Sequence, residues 1–175
     1  MSTNDGKEGG VEEEKHATEI ILRNYVNYKE SHTKDSVFTV NIKDDNLFNW
    51  EVNVDIHKLD HESEFYKDAK KYEVNEIIFR IMFPPDYPSN PPYVHVISPR
   101  FAPNTGCVTI KGCLDIYLLS KEGWKPTISA NELILNILAG LVEPTEGRQE
   151  PRIDPSNRTP YSLESEIAAY EKIAK

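Results

Sequence analysis

The sequence predicts an α+β domain: a four-stranded antiparallel meander with an N-terminal helix, a central helix and a C-terminal helix. Three observations lead there. Apolar residues recur at helical spacing near the start, alternate with polar ones in four stretches between residues 38 and 97, and return to helical spacing after Ser129. Strands that follow one another this closely pair as antiparallel neighbours. No repeat or linker divides the chain, and 175 residues suit one domain with a sizeable core.

Residues 1–14 carry Gly9-Gly10 and Glu12-Glu13-Glu14 with little to bury, and are expected to form a disordered acidic tail. The folded domain spans residues 15–175. Ala17, Ile21, Tyr25 and Tyr28 repeat at helical spacing and predict a first helix from His16 to near Glu30. Phe38, Val40 and Ile42 share one strand face, and Lys43-Asp44-Asp45-Asn46 makes a turn. Phe48, Trp50, Val52, Val54 and Ile56 alternate with polar partners, as in a half-buried strand. The charged stretch 58–73 holds a short helix around Ser63–Lys71. Ile77, Phe79, Ile81 and Phe83 form a third strand, and Tyr93–Ile97 a fourth. Residues 98–128 are irregular. Val108, Ile110, Leu114, Ile116 and Leu118 within them predict a loop pinned to the core, with a short helical turn after Cys113. Ser129-x-x-Glu132 is a capping-box signature. It opens a helix that buries Leu133, Ile134, Ile137, Leu138 and Leu141 and ends near Val142. Five prolines and glycines from Pro144 to Pro160 break regular structure, and a last helix runs from Leu163 through Ile167, Tyr170 and Ile173.

Lys plus Arg number 20 against 29 Asp plus Glu, a net charge of −9 that argues against a nucleic-acid surface. The two cysteines make no disulfide framework. The first residues are polar, without the features of a signal peptide, and no apolar run approaches the ~20 residues that span a bilayer. A cytoplasmic or nuclear protein that does not act at a membrane is expected.

The stretch from Phe83 to Pro126 holds the chemistry. Phe83-Pro84-Pro85-Asp86-Tyr87-Pro88-Ser89-Asn90-Pro91-Pro92 must be a rigid, irregular connection, because proline neither donates to a sheet nor continues a helix. Ala102-Pro103-Asn104 follows, then Gly112-Cys113-Leu114-Asp115-Ile116 and Gly123-Trp124-Lys125-Pro126. A stiff frame leading to one cysteine in a polar loop suits thiol chemistry, and Asn104 is near enough in sequence to fold back over that cysteine. Cys107 has no Cys-x-x-Cys spacing and the histidines are scattered, which argues against zinc or any other metal and leaves Cys107 a small loop residue.

In this order the motifs resemble the ubiquitin-conjugating enzymes. That family has a Phe-Pro-x-x-Tyr-Pro-x-x-Pro-Pro loop, a His-Pro-Asn turn, Gly-x-x-Cys-Leu-Asp-Ile and a downstream Trp-x-Pro. The resemblance covers residues 16–175. Val96-Ile97-Ser98-Pro99, Lys121-Glu122-Gly123-Trp124 and Tyr161-Ser162-Leu163 are most similar to the divergent Q-type branch. It implies that Cys113 accepts ubiquitin or a ubiquitin-like modifier as a thioester and passes it to a lysine or a ligase. A thiolate attacks well, and a thioester stays reactive toward amines.

The implied partners are the modifier, an ATP-dependent activating enzyme and a ubiquitin ligase. No cofactor is implied, since the activating enzyme uses the ATP. Asn104 would donate its amide to the oxyanion; its other reading is a turn residue bonding local backbone. Ala102 replaces the family's histidine, which chiefly buttresses this turn. Asp115 would contact the modifier or cap the turn. Glu143 and Glu146 would orient the incoming lysine, or belong to a solvated acidic loop. Pro85 and Ser89 fall in the first ligase-contacting loop, Trp124 and Pro126 in the second. Ser89 replaces a bulky apolar residue, which implies weak or altered binding to common ligases, and Trp124 equally suits core packing. Tyr87 and Tyr93 read as frame residues of the proline loop. The alternative is a catalytically weak or inactive scaffold of the same fold that binds ubiquitin. A cysteine hydrolase needs a histidine base, and the nearest in sequence, His95, reads as a plain strand residue.

Overall fold

The computed structural model describes residues 5–164. Helix α1 (Asp5–Ser31) leads into strands β1 (Phe38–Lys43) and β2 (Asn46–Asp55), then helix α2 (Glu64–Lys71), strands β3 (Glu76–Met82) and β4 (Tyr93–Ser98), and helix α3 (Ala130–Val142). The sheet is the expected meander: its order is β1-β2-β3-β4 and every pairing is antiparallel. The last predicted helix lies outside the described residues beyond Glu164.

The period-two pattern explains the sheet. Trp50, Val52 and Val54 of β2 stand beside Ile81, Phe79 and Ile77 of β3, and all six are buried. Helix α1 lays Ala17, Ile21 and Tyr28 into the core, and the Tyr28 hydroxyl accepts from the Val40 N–H at 2.8 Å. The helix begins at Asp5, well before the expected start at His16, so residues 5–14 continue it instead of forming an irregular tail. From Gly9 to His16 the residues are exposed. This extension has no apolar face to bury, and Glu12, Glu13, Glu14 and Lys15 favour a helix by their own backbone preference.

Helix α2 starts where Ser63 accepts from the Tyr66 N–H at 3.1 Å. Helix α3 starts where Ser129 accepts from Glu132 N–H at 3.2 Å, and its predicted apolar face is buried throughout. A short 3-10 turn, Tyr117–Leu119, follows the cysteine segment. One expectation fails within this loop. Val108 and Leu114 are buried, but Ile110 is 79% exposed, because it sits at the tip of a tight hairpin.

Candidate active site

The proline loop is stiff for reasons beyond its prolines. Trp50, Phe83 and Tyr87 meet in successive edge-on contacts, with centroids 5.0 Å and 4.8 Å apart, and Trp124 lies 6.0 Å beyond Tyr87. This aromatic row ties the sheet to the loop. Tyr87 N–H donates to Pro84 O and Ser89 N–H to Asp86 O, closing two turns in series. Trp124 Nε1–H donates to Pro88 O at 2.7 Å. Trp124 is only 8% exposed, and its bond to Pro88 clamps the two loops together. Pro85, Ser89 and Pro126 are exposed on the same two loops.

Cys113 stands on a short hairpin. Val108 pairs with Leu114, Gly112 N–H donates to Thr109 O, and Thr109 N–H donates to Cys113 O, the last two each at 2.9 Å. The Thr109 hydroxyl also accepts from Cys113 N–H at 3.0 Å. The returning arm lies along β4: Val96 N–H donates to Gly112 O and Leu114 N–H to Val94 O, which bridges Cys113 to His95. Tyr161 supplies the floor. Its hydroxyl accepts from Phe101 N–H at 2.9 Å, and its ring meets His95 edge-on at 6.2 Å. Burial pushes the Tyr161 phenol up, against the opposing pull of that N–H and of Arg100, so the floor is uncharged. Cys113 itself is half-buried, its sulfur in hydrogen-bond contact with the Tyr93 hydroxyl. His95, expected as a plain strand residue, is fully buried beneath this hairpin.

Asn104 occupies a turn of type II pattern. Thr105 N–H donates to Ala102 O at 3.2 Å, Pro103 precedes, and Asn104 has φ +62°, a conformation that asparagine tolerates better than most residues. Thr105 and Arg152 buttress the turn. The Thr105 hydroxyl donates to Ala102 O at 2.7 Å and accepts from Arg152 N–H at 3.2 Å, while Ala102 N–H donates to Arg152 O at 2.8 Å. Arg152 is held in turn by Asp68 of α2 through two bonds of 2.6 and 2.7 Å, and Ile153 N–H adds a third at 3.1 Å. Burial raises the carboxyl's pKa. The Arg152 and Ile153 hydrogen bonds outweigh it and hold Asp68 below the usual carboxylate range. Sequence reading missed this pair. The signal was Phe65 and Ala69, which bracket Asp68 on the face of α2 that turns inward.

Asn104 lines a groove with Thr109 and Ile110 of the cysteine hairpin and with Gly147, Arg148 and Gln149. Arg148 reaches Asp115, two residues past Cys113, at 2.8 Å. The turn and the hairpin thus form two walls of one cleft, with Asp115 exposed at its edge. Glu143 caps α3 and lines a separate groove with Leu59, Asp60 and Leu135; Glu146 is exposed on the loop between. Cys107 is buried, its sulfur 3.4 Å from the Thr145 hydroxyl, and both cysteines are free thiols. Among the described residues no helix is long and apolar enough to cross a membrane.

The sequence model of the family described as "Ubiquitin-conjugating enzyme" matches residues 21–159. "Ubiquitin-conjugating enzyme E2 25" of Caenorhabditis elegans is 30% identical over 141 residues, covering 78% of this chain and 35% of that protein. The human "Ubiquitin-conjugating enzyme E2 Q1" is 27% identical over 95% of this chain, which spans 39% of that protein. A second human relative, a ubiquitin-conjugating enzyme named as Q-like protein 1, is 28% identical over 81% of this chain and 84% of its own length. Human ubiquitin-conjugating enzyme E2 G1 superimposes with a TM-score of 0.57 at 22% identity, covering 73% of this chain and 96% of its own, a likeness of fold.

Proposed function

Since the chain belongs to the ubiquitin-conjugating enzyme family, with Q-type relatives, we propose that it accepts ubiquitin or a ubiquitin-like modifier as a thioester on Cys113 and hands it to a lysine or a ligase. One observation carries the reading: the Cys113 thiol is half-exposed on a hairpin pinned to β4, and Thr109 and Ile110 of that hairpin share a groove with the Asn104 turn. A thiol must be reachable to attack, and must be held still to present its acyl group to an amine. The Asn104 amide would stabilise the oxyanion that forms as the amine adds. The loss of the family's histidine does not argue against this, because Thr105, Arg152 and Asp68 brace the same turn. Exposed Pro85, Ser89 and Pro126 would meet a ligase, with Trp124 fixing the loops they stand on. The activating enzyme would supply the modifier.

The chain is incubated with an activating enzyme, ATP and a panel of modifiers, then run on a non-reducing gel. A thiol-sensitive band that is absent in Cys113→Ala is expected. No band with any modifier, together with reversible binding of one of them to Cys113→Ala, would instead identify a scaffold.

A further inference from the structure

Sequence reading makes Tyr93 a brace of the proline loop. In the fold it also touches the sulfur: its hydroxyl is in hydrogen-bond contact with Cys113 Sγ. Tyr93 opens β4 directly after Pro91-Pro92, and pairing opposite Met82 of β3 sets its register. Its ring stacks on His95, two residues along the same strand face, with centroids 6.4 Å apart and planes 23° from parallel. His95 is itself fully buried and bridged to Cys113 through the backbone. Tyr93 also lines a groove with Pro84, Pro91 and Pro92. A phenol ring has two torsions, so a ring seated this way delivers its hydroxyl to a defined point.

We propose that Tyr93 positions and activates the acyl-carrying sulfur: its O–H donates to the Cys113 thiolate, raising the thiolate fraction at neutral pH and fixing the direction of attack. The inference rests on Cys113 being the acceptor. A thiolate has no proton to give, so the bond then runs from Tyr93 O–H to Sγ, and a hydrogen bond to an ionised acceptor is stronger than a neutral one. In transfer, the Cys113 thiol first loses its proton to solvent. Its sulfur then bonds the modifier's terminal carbonyl carbon, the bond from that carbon to the activating enzyme's sulfur breaks, and that sulfur leaves as thiolate. Tyr93 keeps its proton throughout.

Alkylation of Cys113 by iodoacetamide, followed across pH by mass spectrometry of its peptide, reads the thiolate directly. Other titratable groups around the hairpin are His95 on β4, Tyr161 beneath Gly112, Lys111 and Asp115 on the hairpin, and Arg148 paired with Asp115; all remain in the variant. Tyr93→Phe is expected to move the profile up by about one pH unit, and to slow both neutral alkylation and thioester loading by about tenfold. A fluorinated tyrosine at position 93 keeps the ring and donates more strongly, so it moves the profile down. Tyr117→Phe, at a ring 73% exposed, leaves it unchanged. A Tyr93→Phe profile superimposed on the wild type overturns the inference, whatever the gel shows. A shifted profile in a chain that never forms a thioester keeps the hydrogen bond and removes the transferase reading.

Discussion

Gly112 lets Cys113 stand where it does. Its φ is +98°, and an added Cβ would lie 2.8 Å from Tyr161 Cγ and 3.1 Å from His95 Cε1. Gly112→Ala therefore combines backbone strain of ~1–3 kcal/mol with displacement of the ring floor. A lower urea midpoint and slower thioester formation are expected, and wild-type stability would show that the close packing is not needed. Asn104 calls for a different substitution, because its φ is also positive. Asn104→Gly relieves the backbone and removes only the amide. Folding and loading of Cys113 should survive, while discharge to free lysine falls by ~100-fold, the usual loss for one oxyanion donor. Unchanged discharge would reduce Asn104 to a turn residue.

Elements with a local cause were legible in the sequence. Alternation in β2 and β3 named the buried Trp50, Val52, Val54, Ile77, Phe79 and Ile81, while Phe48 on the same face is only half-buried. Ser129 and Ser63 marked two helix starts, since a hydroxyl three residues before a free N–H is a local geometry. Ser129→Ala should cost ~1 kcal/mol in urea unfolding with little effect on loading, because α3 joins the site only through its packed face. What the sequence hid depends on contacts between distant segments. Asp68 lies in a charged stretch that reads as a solvated helix, yet its partner is Arg152 in a proline-broken segment of no periodicity. Tyr93 alternates like any strand residue, and only the return of the cysteine hairpin along β4 brings its hydroxyl to the sulfur. Trp124 is ambiguous in sequence because a tryptophan can anchor a partner or a core; its bond to Pro88 is a contact between distant segments that no local pattern shows. Ile110 looks like core in composition and becomes exposed because the hairpin turns there.

Across the whole molecule, Asp68 and Tyr87 each give stability a pH dependence, one at each end of the range. At the acid end, Asp68 titrates below its ordinary value when folded. The unfolded chain therefore takes up the proton first as pH falls. The pair's contribution is complete above ~4, the unfolded value, and is lost as pH drops toward the folded one. At the alkaline end, burial pushes the Tyr87 phenol up to about 12. The unfolded chain releases that proton near ~10, so stability declines as pH rises from there toward the folded value. Unfolding free energy measured against pH should thus form a plateau with two separable limbs. Asp68→Asn should lower the plateau by about 2–3 kcal/mol, less than for a fully buried pair because the Arg152 side chain is 46% exposed, and should flatten the acid limb. Tyr87→Phe should shrink the alkaline limb and leave the acid one, the remainder belonging to Tyr161, whose phenol burial also raises. The acid limb bears on chemistry too, since Asp68 braces the Asn104 turn through Arg152. Lysine discharge should therefore fall in Asp68→Asn at neutral pH, while Cys113 still loads. Equal loss of both steps would mean that the Asp68 pair supports the fold and not the turn in particular.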